Sequence, residues 1–466
     1  MSPYRHRMDT IRSSVTRLAL AGVLLAPVAQ ANGAFPAVSQ LVSDPSDPAH
    51  LVLRSNFGLL TTRDSGTNWD LVCEGGVGYQ NVEPPIAVLD DGTTIAALPA
   101  GIAFSAAAEC DFSMGAGVTS YVADVSRVPG SPSQAVAVSV DIDRNESTLW
   151  RSADGGKSWQ TPGFPVSDLN AATLDVAADN TDTLYLSGIS SSGGILLQSI
   201  DAGRHWGIHK VPGANQLSAP YIAALADAQT VYLRLSGTPG QLLITHDGGL
   251  HFETVLTFQG SLDGFALSPD GKLALASGRA DGVWRAPTAS LVFEQLSCAK
   301  LRCLSWTAAG LFACADEFEA GFLVGESRDS GQSFEPRLHL PCVRGPLACA
   351  SGSSVGAVCP AAWPAISEQL GNDCANAGSF VPSTACAPGS GGGPASDGGA
   401  GQESAGATAS AGLGAAGNQP DLRPHGGCAF DTEPGSRGGW LWGLAPLFVL
   451  FRRRAASARE LPRRQC

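Results

Sequence analysis

From about residue 35 to residue 345 the chain alternates apolar and polar positions in short runs broken by turn residues, the period of strands on a half-buried pleated surface. Residues 51–54, 58–62 and 68–72 show the pattern, and residues 183–186, 195–199 and 205–209 repeat it. Each unit reads as an alternating run, a turn, a second alternating run, a polar turn motif and a short final strand. The motif is Ser/Thr-x-Asp-x-Gly-x-x-Trp/Phe. Five copies fit it: Thr62, Asp64, Gly66 and Trp69; Ser152, Asp154, Gly156 and Trp159; Ser199, Asp201, Gly203 and Trp206; Thr245, Asp247, Gly249 and Phe252; Ser327, Asp329, Gly331 and Phe334.

The aromatic positions are separated by 90, 47, 46 and 82 residues. The two long steps are about twice the short ones, which predicts a degenerate copy inside each. Residues 105–112 keep Ser105 and Phe112 in register, and residues 286–293 keep Phe293 after Val283, Trp284 and Arg285. With Phe112 and Phe293 in place the steps become 43, 47, 47, 46, 41 and 41. Seven units of four short strands predict an all-β fold, a seven-bladed β-propeller over residues 35–345. A four-stranded sheet cannot bury both faces alone, so neighbouring blades cover one another and the ring closes.

The motif is similar to the Asp-box, or BNR repeat, of sialidases, sortilin-type receptors and photosystem assembly factors. Its physics is local: the carboxylate accepts hydrogen bonds from turn amides, the glycine tolerates positive φ, and the aromatic packs between blades. The resemblance implies a structural role for Asp64, Asp154, Asp201, Asp247 and Asp329 on the outer rim, away from any active site. A sialidase would also need three arginines for a substrate carboxylate, a Tyr and Glu nucleophile pair, an Asp acid and an Arg-Ile-Pro element. This chain has no Arg-Ile-Pro, and between residues 33 and 386 its tyrosines are Tyr79, Tyr121, Tyr185, Tyr221 and Tyr232. The resemblance therefore carries the fold further than the catalysis.

Both ends read as addresses. Arg5, Arg7, Arg12 and Arg17 against Asp9, an apolar run over residues 18–28 and Ala29-Gln30-Ala31 predict a secretory signal, residues 1–31, cut by signal peptidase after Ala31. A buried helix is the competing reading, against which Pro27 and the small-residue site stand. Residues 438–451 are apolar and run into Arg452, Arg453 and Arg454. As a short apolar helix they span ~21 Å of a ~30 Å hydrocarbon core, with the arginines held on the cytoplasmic side. Cys428, its flanking glycines, the apolar run and the Arg-rich end resemble the MYXO-CTERM sorting tails of myxobacterial surface proteins. The resemblance covers residues 426–466 and implies recognition by a membrane-embedded sorting protease, with Cys428 the processed or lipid-modified position. A plain single-span anchor is the alternative. Both place the protein at the cell envelope, exported and held by the membrane tail of residues 428–466 at least transiently.

Ten cysteines between residues 73 and 386 in an exported chain predict disulfides. Cys73 and Cys110 are placed to tie blades 1 and 2. Cys298, Cys303 and Cys314 open blade 7, and Cys342, Cys349, Cys359, Cys374 and Cys386 crowd its exit, a set suited to securing ring closure. None has the paired short spacing of a zinc ribbon, so no metal centre is expected there. Residues 346–386 read as a Cys-rich appendage with at most one short helix near residues 364–370. Residues 387–427, rich in Gly, Ala and Ser, read as a disordered linker reaching ~35 Å.

The 466 residues include 56 Gly and 30 Pro, too many for a helical bundle, and carry a net charge of −13. The two ends are basic, at +3 and +5, which leaves −21 on residues 33–450. That excludes nucleic-acid binding by phosphate neutralisation and favours cations without naming a ligand. Ligand sites of propellers are expected at the channel mouth opposite the motif edge, on loops between second and third strands. Those loops are acidic in blade 3 (Asp141, Asp143, Glu146), blade 6 (Asp281, beside Arg279) and blade 7 (Asp316, Glu317, Glu319). Asp281 and Glu317 come from neighbouring blades, as carboxylate-pair hydrolysis or a Ca²⁺ site would need; solvated acidic loops are the plainer reading. The sequence thus favours a binding or scaffolding module for an envelope glycan or protein. A sialidase-like or xyloglucanase-like glycoside hydrolase is the alternative.

Overall fold

The computed structural model describes residues 36–106, 108–371 and 373–377. Ala31, Cys386, Cys428, the linker and the C-terminal apolar run lie outside the described residues. Among those described, the chain folds into seven four-stranded antiparallel sheets, each built from four consecutive strands. Blade 1 comprises Val38–Ser43, Leu51–Ser55, Gly58–Thr62 and Asp70–Cys73, and blade 4 comprises Asn170–Val176, Leu184–Ser190, Gly193–Ser199 and Gly207–Lys210. The first strands of successive blades touch in order, and the first strand of blade 7, Leu301–Thr307, touches that of blade 1. The protein is a closed seven-bladed β-propeller. No described helix is long and apolar enough to cross a membrane.

The core lies between blades rather than within them. Separate apolar clusters fill the joints 2/3, 3/4, 4/5, 5/6 and 6/7, and one larger cluster joins blades 7, 1 and 2. The motif aromatics wedge into these joints: Trp159 at 2/3, Trp206 at 3/4, Phe252 at 4/5, Phe334 at 6/7 and Trp69 in the large cluster. Trp69 and Trp159 are fully buried, and their indole N–H groups donate to the carbonyls of Gly66 and Gly156 at 3.0 and 2.9 Å.

Each motif turn joins the third strand to the fourth and has one wiring plan. In blade 3 the Ser152 hydroxyl donates to Asp154 Oδ1 at 2.8 Å and accepts from the Gly156 N–H at 2.9 Å. Asp154 Oδ1 also accepts from the Ser158 N–H at 2.9 Å, while Oδ2 takes the Ser158 hydroxyl at 2.6 Å. Asn68, His205, His251 and Ser333 hold the second oxygen in the other four copies. The residue before the aromatic is thus a fifth motif position, always polar, which the sequence pattern left as x. At Asp201 and Asp247 the His205 and His251 side chains lead the backbone amides in holding the carboxyl far below its usual range. At Asp154 burial opposes the shift, but the Ser158 hydrogen bonds outweigh it. Two consecutive positive-φ residues form each turn, for example Ala202 at 62° and Gly203 at 88°. A Cβ on Gly203 would also run into Leu149 of blade 3, so this glycine answers both to turn geometry and to the neighbouring blade.

The ring closes without exchanging a strand. After blade 7 the chain runs along the outer strand of blade 1: the Leu71 N–H donates to Gly345 O at 2.7 Å and the Leu347 N–H to Leu71 O at 2.8 Å. Arg344 pairs with Asp70. Helix Ser354–Leu370 then packs on blade 1, burying Val355, Cys359 and Leu370. Two disulfides fix it, Cys73–Cys359 and Cys110–Cys349, so the expected proximity of Cys73 to Cys110 is replaced by separate bonds from each to the closing segment. Cys342–Cys374 staples that segment to itself, Cys303–Cys314 crosses the first hairpin of blade 7, and Cys298 is also disulfide-bonded.

The helix corrects the expectation of a short one near residues 364–370. Pro360 and Pro364 lie inside it. Each removes a backbone donor, which argues for a later start. The Ser353 side chain caps the first turn through the Gly356 N–H at 3.1 Å, and the buried Cys359 disulfide holds the second, so tertiary bonds override the proline signal.

Two outcomes follow for stability. Asp154→Ala should cost about 1–2 kcal/mol in chemical denaturation and Asp154→Asn, which keeps one acceptor, less; equal stability of all three proteins would contradict the wiring above. Replacing Cys73 and Cys359 together by alanine should cost about 2–5 kcal/mol, since the bond closes a separation of 286 residues. Calorimetry under non-reducing conditions reads this directly.

Candidate functional site

The innermost strands line the axis of the ring, and each would leave an unpaired backbone edge there. Side chains of the preceding blade cover several of these edges. Gln40 of blade 1 donates to Ile86 O of blade 2 at 3.0 Å and accepts from its N–H at 3.1 Å. Asp124 of blade 3 accepts from the Leu174 N–H of blade 4 at 2.8 Å, and Thr173 Oγ1 accepts from the Ile222 N–H of blade 5 at 2.8 Å. These polar groups explain why the innermost strands are not uniformly apolar.

A cavity of about 630 Å³ opens along this axis, within the size range of small-molecule sites. First strands form its walls, and Pro45, Pro48, Pro269, Ala308 and Ala309, on connections from first to second strands, form its rim. In an antiparallel meander those connections share a face with the third-to-fourth connections that carry the motif. The cavity therefore reaches the motif face, opposite the mouth expected from the sequence. Arg54 and Arg234 lie towards the other end, Arg54 donating to Ser39 Oγ at 3.0 Å and Arg234 to Leu262 O at 3.2 Å beneath the Tyr221 ring.

Asp124 and Asp175 stand side by side on the cavity wall, from blades 3 and 4, with Ser126 between them. Ser126 Oγ donates to Asp175 Oδ1 at 3.1 Å, and the Val125 and Val176 N–H groups donate to the two carboxylates at 2.9 and 2.8 Å. Burial pushes Asp124 up to about 7, against the Leu174 and Val125 amides and with the charge of Asp175 adding to it. Burial also raises Asp175, against the Val176 amide, Ser126 and Arg127. Trp306 of blade 7, Ser43 of blade 1 and Thr173 complete the polar and aromatic lining. Sequence reading missed this set because a polar residue at every second strand position also describes a solvent-facing surface. The available signal was a single Asp in the first strand of each of two neighbouring blades.

The acidic loop residues serve elsewhere. Asp281 accepts the Gln259 and Gly260 N–H groups, each at 2.8 Å, and so clamps the connection from blade 5 to blade 6. Glu317 accepts from His339 Nδ1 at 2.8 Å and from the Leu340 N–H at 3.0 Å, holding the exit of blade 7. Glu319 lies 3.9 Å from Lys300, and Asp316 caps the short helix Glu317–Ala320 through the Phe318 N–H. Asp281 and Glu317 occupy the same face of adjacent blades, each already holding backbone amides. Among the described residues no group of three or more His, Cys, Asp or Glu is arranged to hold a metal ion.

The degenerate motif of blade 2 contains a buried charge chain instead of the Asp turn. Glu109, at a positive φ of 46°, reaches blade 1 and sits 2.9 Å from His50 Nε2 and 2.8 Å from Arg63. The other ring nitrogen of His50 lies 3.1 Å from Asp44, and all three of His50, Glu109 and Asp44 are almost fully buried. Burial pulls the His50 pKa down, but Glu109 and Asp44 outweigh it and raise it overall; burial raises Glu109, but His50 and Arg63 bring it below the usual range. A raised histidine stabilises the fold fully below its unfolded value near 6.5 and progressively less above it. The loss in thermal midpoint on Glu109→Gln should accordingly be larger at pH 5.5 than at pH 8.5. A pH-independent loss would mean that His50 is neutral in the fold.

No protein-family model and no curated protein matches this chain. Solved structures do resemble it in fold. An ancestral GH74 enzyme matches over 65% of this chain at 15% identity with a TM-score of 0.51. The extracellular domain of a one component system from B. thetaiotaomicron covers 60% at 12% identity and a TM-score of 0.44, and YCF48 from Cyanidioschyzon merolae covers 55% at 14% and 0.38. The matched region spans 46% of the GH74 enzyme, 37% of the extracellular domain and 96% of YCF48. At 15% identity the likeness to the GH74 enzyme is one of fold alone.

Proposed function

We propose that this chain is an exported, envelope-anchored propeller that acts as a binding or scaffolding module for an envelope glycan or protein. The observation that carries the reading is the pairing of an axial cavity with a ring closed by disulfides, while Asp281 and Glu317 are engaged in holding backbone amides. Such a body is preorganised for binding. Disulfides of this number belong to oxidising compartments, which supports export. The resemblance of the motif to the Asp-box supports kinship with propellers of that kind, and the resemblance of the tail to sorting signals supports anchoring through residues 428–466. On this reading signal peptidase cuts after Ala31, the sorting protease acts at Cys428, and residues 387–427 are the stalk.

A glycoside hydrolase of the sialidase-like or xyloglucanase-like kind is the second reading, favoured by the adjacent Asp124 and Asp175 with their raised pKa values. Glycan and envelope-protein arrays run beside a panel of fluorogenic glycosides separate the two. The module reading expects saturable binding and no turnover. Turnover lost on Asp281→Ala, Glu317→Ala or Asp124→Asn would overturn it. Fractionated cells should yield an envelope-associated protein whose mass lacks residues 1–31; a full-length cytosolic protein would remove the export reading.

A further inference from the structure

The lining of the axial cavity holds more acid than base, Asp44, Asp124 and Asp175 against Arg127. Asp124 and Asp175 share one wall, and neither has a Lys, Arg or His nitrogen within ion-pair distance among the described residues. The cations nearest in influence are held by other partners: Arg127 by Asp90 at 2.8 Å, and Arg54 by Ser39 Oγ and Glu83 O. The third acid of the lining, Asp44, is already paired with His50. Asp175 Oδ2 accepts no hydrogen bond from the described protein, whereas Oδ1 takes both Val176 N–H and Ser126 Oγ. Blade 7, across the ring from blades 3 and 4, adds Trp306 to the lining, and blade 1 adds Ser43.

The geometry points to a binding site for an alkylammonium group in this cavity, held by Asp124 and Asp175 with Trp306 on the opposite wall. This rests on the reading of the protein as a binding module and names the chemistry of one ligand. An ammonium offers three donors to carboxylate oxygens that have acceptor capacity left, and its charge offsets two carboxylates that burial otherwise disfavours. A calcium ion fits less well, since it asks for six to eight oxygens and the backbone amides already occupy three of the four carboxylate oxygens. A neutral polyol would leave the charge uncompensated. The ammonium has two sources, a free diamine or polyamine, or a lysine side chain of a partner protein. The rim of prolines and alanines is open to either.

Isothermal titration of the purified protein with putrescine, with Nα-acetyl-lysine amide and with 1,4-butanediol tests this at fixed ionic strength. One-to-one binding of an amine, without binding of the diol, is expected. The tighter of the two amines identifies the source. Asp124→Asn and Asp175→Asn should each weaken binding about 10-fold or more, the scale of a lost charge-assisted hydrogen bond, and Trp306→Ala about 3-fold or more. Each variant is first checked by its thermal midpoint; Trp306→Ala and Asp175→Asn keep the test open if Asp124→Asn fails to fold. Asp124 faces Asp175, its own strand's Arg127 and the more distant Arg54, and it ionises near neutrality, so amine affinity should rise between pH 5.5 and 8. Equal affinity in wild type and variants would mean attraction to the acidic surface at large and overturn the site. So would binding of the diol, or binding of calcium chloride with no response to either amine. Loss of amine binding with array ligands still bound would remove this inference and leave the module reading standing; silence in both would remove both.

Discussion

The whole fold depends on the joint where the ring meets itself. Each four-stranded sheet has two faces to bury, and its neighbours are the only cover available. Six joints follow automatically from the order of blades along the chain, but the seventh brings together segments from its two ends. Here that joint is made by side-chain packing between blades 7 and 1 and then locked from outside by the closing segment, which adds backbone pairing to the outer strand of blade 1 and disulfides to blades 1 and 2. The largest apolar cluster among the described residues lies at this place, and it draws on three blades and a helix.

The motif turns play a different part. They fix the outer hairpin of a blade and aim one aromatic at the neighbouring sheet, so that local turn chemistry sets the spacing of blades around the circle. Blade 2 shows that the turn is replaceable: Glu109 gives up the local wiring and reaches into blade 1, where His50 and Arg63 receive it. Burying such a charge chain is tolerable because each member has a partner of opposite sign.

The seven-fold period was legible because the motif acts through bonds only a few residues apart, which a sequence displays directly. Its fifth polar position was harder to see, since Asn68, Ser158, His205, His251 and Ser333 do the same work with different chemistry. Disulfide pairing was not legible: Cys73 and Cys110 look like partners until ring closure brings Cys359 and Cys349 to them from beyond blade 7. Helix Ser354–Leu370 was shortened by its prolines in the same way, because what holds its first turns is the wall of blade 1. The axial acids escaped notice for a geometric reason. Alternation along a strand says that two faces differ, but only the curvature of the ring turns one edge of each first strand towards a shared interior.

The clasp also decides how the molecule bears load. A pull at residue 377 first meets the Cys342–Cys374 bond at the exit of blade 7. Through the closing helix and the segment before it the load also enters Cys73 and Cys110, and so the two blades furthest from that end in sequence. An unclasped ring would peel from its last sheet under tension at the carboxyl end. Here covalent bonds share the load between the exit of blade 7 and blades 1 and 2.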